Sequence, residues 1–384
     1  MMHCKGQVRV IGAVSFALMA AMSSAGAADF VDLWAKGEYP GQKTPVTRAP
    51  LKEYTFTHPG APASVIAPWW ERNVELIELL SNGTQKWKIV GGGQLHAGQD
   101  GFKAVRSSIS DYSLCYSNIE PPRSMPMNKI FELPFVTSAN PQVANRVYAE
   151  LAPKYFTPEF EAKEVHFANK HIVGYQDIIT NKPVRKLEDL KGMKLAAQGT
   201  SALIGKALGV VFVNMPFQDI VPSMQQGVVD GTLWVDAGIF AWKAYEVGKY
   251  VTRLNLSALN LDMCVRKEAF AAMPPDQKLM FYRAQQLAPY AITQRSLLDK
   301  RAFMEKVYKD AGVEVITLSD AELKRFQNVL SPVVEEYVKE FKDLPIRALL
   351  ADIARLNAKY DKMSSEDLFK QAVQNPIKGV IPGM

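Results

Sequence analysis

The chain has 384 residues, 48% of them hydrophobic and 22% charged, with a formal net charge of +6. That length accommodates two domains, each with its own core, and the composition is that of an ordinary globular protein rather than a disordered or fibrous one. The mild positive excess comes with no basic block and no RNA-binding aromatic motif, which argues against a nucleic-acid partner.

At the N-terminus, Lys5 and Arg9 precede an apolar run over residues 10–21, and Ala25-Gly26-Ala27 supplies the small residues of a cleavage site. Residues 1–27 therefore read as a secretory signal peptide, the apolar run being shorter than the ~20 residues of a membrane span. Cys4 stands ahead of that run and is not placed for a lipid anchor. Cleavage removes Lys5 and Arg9 and no acid, so the exported, soluble chain keeps a charge of +4. It also keeps Cys115 and Cys264, both in apolar strand-like runs. An oxidising compartment permits them to pair, and buried free thiols fit such runs equally well.

Residues 28–51 are rich in Gly, Pro and Thr without sustained periodicity, and read as an extended leader, packed on the first domain or partly mobile. Residues 52–57 alternate as a strand. Residues 68–80 follow as an amphipathic helix with Trp69, Trp70, Val74, Ile77 and Leu80 on its apolar side, stopped at Asn82-Gly83. A strand over 86–90, a helix over 100–107 and a strand over 111–116 complete a βαβαβ series. Asn140 caps a helix whose first position is Pro141 and which runs to about Leu151. Residues 165–173 lead to a second series: a strand over 194–198, a helix opened by Gly199-Thr200-Ser201 and stopped by Gly209, a strand over 210–215, a helix over 217–226 closed by Gly227, and a strand over 231–235. The fold class is α/β with two doubly wound lobes, and parallel sheets of this kind bind ligands beyond the carboxyl ends of their strands. Residues 276–311 are helix-rich, with Pro289 as an internal breaker that predicts a kink. Ser319 with Glu322 reads as a capping box for a further helix, and residues 345–362 and 364–373 as two more.

Several motifs recur in a set order: GGGQL at 91–95, ELPFV at 132–136, TNKPV at 180–184, LEDLKGMKL at 187–195, a strand ending in Met215-Pro216, and QQGVVDG at 225–231. Taken together, over about residues 54–312, they resemble the substrate-binding proteins of TRAP (tripartite ATP-independent periplasmic) transporters of the dicarboxylate type. The resemblance implies a hinged pair of lobes, with the chain crossing near Gly174 and returning near Leu261. Residues 52–173 with 261–300 then make one lobe, residues 174–260 with 301–318 the other, a long helix spans both, and residues 319–384 form a helical tail. Some relatives with long tails are dimers that exchange a helix, so the tail is either the exchanged element of a homodimer or plain packing. The implied function is capture of one small organic solute in the periplasm by hinge closure and its delivery to TRAP membrane permease subunits. A sensory protein that presents its ligand to a receptor is the alternative, and a periplasmic enzyme on this scaffold a more distant one.

No enzyme or cofactor signature accompanies the resemblance. None of the five histidines forms HExxH, and His166 and His171 are spaced for no helical metal site. GTSAL at 199–203 lacks the second glycine of a nucleophile elbow, and Gly91-Gly92-Gly93 is not followed by GK[ST], which leaves it a turn where backbone approaches a pocket. The family usually holds a ligand carboxylate with an arginine two residues after the lysine of DLKGxK, where this chain has Ala196. A second family arginine corresponds to Gln176, and the two positions after VDG that often carry Glu with Asn or Trp are Leu233 and Trp234. Removing a desolvated charge partner costs about 3–5 kcal/mol, or about two to three decades of affinity. The pocket is expected from Ala196, Gln176, Gln198, Thr200, Met215, Trp234 and Asp236 in the second lobe, facing His58, His96, Gln99, Tyr116 and Ser117 in the first. Amides, hydroxyls and a broad aromatic face suit a neutral or aromatic molecule better than a dicarboxylate. The competing expectation is an organic acid held by the amides of Thr200 and Ser201 at a helix N-terminus. For each residue, plain packing is the bland alternative.

Overall fold

The computed structural model describes residues 25–38, 43–61, 63–121, 123–197 and 201–384. The first of these hold a helix, α1 (Ala25–Ala35), rather than an extended leader. Its Phe30, Val31 and Trp34 fall on one face and are buried, with the rings of Phe30 and Trp34 against Phe369 near the other end of the chain. The anticipated cleavage site lies in its first turn, and the preceding 24 residues are outside the described ones.

Two sheets follow. The first is built from β1 (Lys52–Thr57), α2 (Ala67–Leu80), β2 (Gln85–Val90), α3 (Gly101–Arg106) and β3 (Tyr112–Leu114). The strands β2, β1 and β3 are parallel neighbours, as a βαβαβ series demands. After α4 (Pro141–Leu151), whose Asn140 cap accepts from the Gln142 amide at 3.0 Å, and α5 (Thr157–Ala162), the chain enters β4 (Val165–Tyr175). With only Gln176 between them, β4 passes into β5 (Asp177–Thr180), which belongs to the second sheet.

That second sheet adds β6 (Lys194–Ala196), α6 (Ser201–Leu208), β7 (Val211–Val213), α7 (Phe217–Gln225), β8 (Gly231–Trp234), α8 (Asp236–Ala241) and β9 (Tyr250–Arg253). The chain then returns through β10 (Ala258–Arg266), which lies antiparallel between β3 and β4 in the first sheet. The sheet orders are β2-β1-β3-β10-β4 and β11-β9-β5-β8-β6-β7, where β11 is Glu314–Thr317. Both lobes are thus largely parallel, and each takes one antiparallel strand, β10 or β5, where the chain has just crossed. The two crossings are tied together: Gln176 N–H donates to the Ser257 carbonyl at 2.8 Å, and Leu256 N–H to the Gln176 carbonyl at 2.9 Å.

Past α9 (Lys267–Ala271), α10 (Pro275–Thr293) packs on β4, α2 and α4 of the first lobe. It continues past Pro289 to Thr293 and passes into a π turn at Gln294–Leu298, before α11 (Arg301–Asp310) continues to the second lobe. The next helix, α12 (Asp320–Glu340), also touches both lobes: Leu187 N–H donates to Glu322 at 2.7 Å, and Tyr337 O–H to the Pro126 carbonyl at 2.7 Å. Its cap is one-sided, because Ser319 Oγ accepts from Glu322 N–H at 3.3 Å while the Glu322 carboxylate turns to Leu187 and Arg325 rather than back to the cap. The last helices, α13 (Ile346–Tyr360) and α14 (Ser365–Gln374), lie on α4 and α10. Leu349, Ile353, Leu356, Tyr360, Leu368 and Phe369 are each 3% exposed or less, so this tail buries its apolar face within its own chain.

Beneath the first sheet's edge with the cleft sits a buried polar network. Lys170 Nζ on β4 pairs with Asp262 Oδ1 on β10 at 2.6 Å and donates to Asn260 Oδ1 at 2.8 Å. Asp262 Oδ2 accepts from the Ser117 amide at 3.1 Å and from the Ser117 hydroxyl. Cys115 and Cys264, left open between pairing and free thiols by their sequence setting, form a disulfide across β3 and β10, with Cα atoms 5.7 Å apart.

The neighbouring His171 makes the fold acid-sensitive. Its Nε2 accepts from the Trp70 indole N–H at 2.9 Å, and burial, with the Lys170 charge adding to it, pushes its pKa down to about 3. The unfolded chain protonates this histidine near pH 6.5 while the folded chain does not, so stability falls as pH drops below that value. From pH 7 to pH 5 the expected loss is about 2 kcal/mol from this residue. Urea unfolding at the two pH values should show it, and His171→Gln should remove most of the difference. Equal pH dependence in parent and variant would refute it.

Candidate functional site

A cleft opens where the two lobes meet. The first lobe contributes Asn118 and Glu132, from short 3₁₀ turns after β3 and before Leu133. Gln176, Ala258 and Leu259 come from the crossing strands. The second lobe supplies Ala197, Ile204, Phe217, Ile220, Thr232, Leu233 and Trp234, gathered at the carboxyl ends of β6 and β8 and on α6 and α7.

Trp234 ends β8 and is 4% exposed. Its indole stacks on Phe217, centroids 5.7 Å apart and planes within 8°. In the first turn of α8 a Cβ on Gly238 would stand 2.2 Å from the indole Nε1, so only glycine leaves the ring its place. Gln176 sits at the crossing itself, and its Oε1 accepts from the Ser257 hydroxyl at 2.7 Å. Asn118 is 8% exposed, and its side-chain oxygen meets no donor from the protein.

Of the residues anticipated from the sequence, Trp234 and Gln176 are brought together here. Ala196 is fully buried one residue short of the cleft, its carbonyl accepting from Thr232 Oγ1 at 2.9 Å, and Ala197 takes the lining position. Asp236 turns away, to Arg253 Nη1 at 2.7 Å and to the Tyr308 hydroxyl at 2.6 Å. Met215 is half-buried and outside the lining, and Gln198 and Thr200 lie outside the described residues. The helix-terminus amide of Thr200 falls there too.

The anticipated residues of the first lobe bond to their own surroundings. His58 is buried, with Nε2 2.9 Å from Glu71 and Nδ1 accepting from the Gly60 amide at 3.2 Å. Gly91 makes room for its ring, since a Cβ there would be 2.6 Å from His58 Cε1, while Gly92 and Gly93 turn the chain at positive φ. His96 Nε2 is 2.7 Å from Thr57 Oγ1, Tyr116 lies against Gly98, Ser117 is held by Asp262, and Gln99 is exposed. Burial pushes the Tyr116 hydroxyl up, so it is a neutral hydrogen-bonding group. Asn118, Glu132 and Phe217 were missed. Each stands beside something already noted, namely Ser117, the ELPFV motif and Met215-Pro216.

Among the described lining residues Glu132 is the only ionisable one. Three nearby cations are bonded within the fold, and the Glu132 charge also acts on one of them, Lys129. Arg253 lies between Asp177 and Asp236, 2.7 Å from each, Lys170 pairs with Asp262, and buried Lys129 donates to the carbonyls of Glu120 and Pro121 at 2.5 and 2.8 Å. No group of three or more His, Cys, Asp or Glu side chains among the described residues could hold a metal, and no described helix is long and apolar enough to cross a membrane. The arrangement can bind and enclose a small molecule, and its described lining residues present no nucleophile with an adjacent base.

Comparison with known proteins agrees with this architecture. The model of the bacterial extracellular solute-binding proteins, family 7, matches residues 63–340. The chain is 25% identical over 303 residues to the C4-dicarboxylate-binding periplasmic protein DctP of Rhodobacter capsulatus, covering 78% of this chain and 90% of that one. It is 25% identical over 281 residues to the 2,3-diketo-L-gulonate-binding periplasmic protein YiaO of Escherichia coli K12, covering 71% and 81%. A TRAP periplasmic solute-binding protein from Ralstonia eutropha H16, solved with bound (S)-2-acetolactate, superposes with a TM-score of 0.68 at 26% identity, over 79% of this chain and 99% of that one. With its two lobes, its crossing strands and the cleft between them, the chain belongs to family 7 of the bacterial extracellular solute-binding proteins, the substrate-binding proteins of TRAP transporters.

Proposed function

We propose that this protein is exported to the periplasm, closes around one small uncharged or aromatic molecule in the interlobe cleft, and delivers it to a TRAP membrane permease. The observation that carries the ligand class is the lining: two amides and the stacked Trp234–Phe217 pair, with no arginine, lysine or histidine among its described members. The relatives named above carry C4-dicarboxylates, diketogulonate or acetolactate in their names or structures, all anions. An anion of that kind in this cleft would be stripped of water without a charged partner, which costs several kcal/mol. Closure follows from geometry: a ligand touching Asn118 on one lobe and Trp234 on the other favours the state in which both contacts exist.

A thermal-shift panel tests this. Succinate and malate are expected to give little or no stabilisation, and an uncharged or aromatic compound a clear one that also perturbs Trp234 fluorescence. Trp234→Ala should weaken that ligand by about 1–3 kcal/mol, the scale of a lost buried apolar contact. Strong stabilisation by a dicarboxylate, bound as tightly by Trp234→Ala as by the parent, would overturn the reading.

A further inference from the structure

We infer that the ligand carries an uncharged amide group, a carbonyl beside an N–H, which pairs with the side-chain amide of Asn118 on the first-lobe wall of the cleft; this rests on the reading that the cleft holds the solute. Asn118 is 8% exposed and lines the cleft, and its side-chain oxygen has no protein donor. A buried oxygen of this kind carries a desolvation cost until a donor reaches it, so the group that comes must present one. The turn that carries Asn118 is anchored. It is the 3₁₀ turn Ser117–Ile119, and Asp262 Oδ2 accepts from the Ser117 amide at 3.1 Å and from the Ser117 hydroxyl.

The two amides of the lining select among donors. Gln176 Oε1 accepts from the Ser257 hydroxyl at 2.7 Å, which leaves its NH2 as the end that can serve a ligand. The cleft therefore asks for a donor at Asn118 Oδ1 beside acceptors for the NH2 groups of Asn118 and Gln176. An amide carries that set on neighbouring atoms, and two amides face to face make paired N–H···O=C bonds. An ester or an ionised carboxylate has no donor and leaves Asn118 Oδ1 bare, while an ammonium group has donors alone and nothing for the NH2 groups. Glu132 takes no part, being already engaged within the protein and acting on the buried Lys129. Across the cleft the stacked Trp234 and Phe217 rings, with Ile204 and Ile220, give an apolar wall for the rest of the molecule.

The test holds the skeleton fixed and changes the polar group. Calorimetric titration of the full chain with benzamide, nicotinamide and hexanamide, each beside the methyl ester and the carboxylate of the same skeleton, is expected to find an amide as the tightest binder. That amide should exceed its ester by at least about tenfold, because the ester leaves a buried acceptor bare. Asn118→Leu should erase most of that preference while leaving ester binding within about twofold. Asn118→Ala should do the same without added bulk, so a leucine variant that fails to fold does not decide the outcome. An ester that binds as tightly as its amide, no binding by any amide, or a preference that survives Asn118→Ala overturns the inference and leaves the uncharged-ligand reading standing. A carboxylate as the tightest member overturns both.

Discussion

Replacing Lys170 with methionine is expected to destabilise the fold by about 3–5 kcal/mol, the cost of leaving one member of a buried ion pair without the other. Lys170 and Asp262 have side-chain exposures of 0% and 1%, so water cannot step in for the missing ammonium. The loss should spread to the cleft, because Asp262 also holds the Ser117 amide and hydroxyl, and Asn118 is the next residue. Urea unfolding of Lys170→Met against the parent measures the first effect. Asp262→Leu added to Lys170→Met should recover part of the loss, since two apolar side chains leave no orphan charge, though Ser117 then lacks its acceptor. A loss below about 1 kcal/mol in the single variant would mean that the pair is solvated or replaced when broken.

Reduction of the Cys115–Cys264 disulfide is expected to cost about 3–5 kcal/mol, because the bond closes a loop of 149 residues in the unfolded chain and long loops lose the most entropy on closure. It ties β3 to β10, the strand that brings the chain back from the second lobe. Unfolding of the parent with and without reductant, beside a Cys115→Ala, Cys264→Ala double variant, separates loss of the bond from loss of packing. Equal stability of oxidised and reduced protein would contradict the expectation. This effect and that of Lys170→Met should not add, since the Cys115 amide donates to the Asp262 carbonyl at 2.8 Å and both changes disturb one network.

The parts of the fold that depend on local pattern were legible. Alternation marked β1 and β2, helical spacing marked α2 and α6, and Asn140-Pro141 marked the start of α4, because each signal is carried by residues that are neighbours in sequence. Features that depend on distant partners were not. The helix α1 has three buried apolar residues and finds its partner at Phe369, more than three hundred positions away. Pro289 predicted a kink from local sequence, but not that its carbonyl accepts from Asn145 at 3.1 Å or that the helix continues past it into a π turn at Gln294–Leu298.

The site divided the same way. Beyond the carboxyl end of β8 the strand-end rule led to Trp234, and at the crossing the family pattern led to Gln176. In the first lobe the same rule pointed to His58 and His96, whose donors and acceptors are taken by Glu71 and Thr57. The cleft there is lined from 3₁₀ turns, at Asn118 and Glu132, and such short turns leave no periodic trace. Asp236 looked available for the same reason: nothing local reveals Arg253 and Tyr308.

Native mass spectrometry of the full chain purified from a periplasmic extract, followed by denaturation and mass analysis of what is released, tests the central claim most directly. The account predicts one small molecule per chain, uncharged or aromatic, and its loss from the Trp234→Ala variant. Release of a dicarboxylate or a sugar acid from the parent would contradict it.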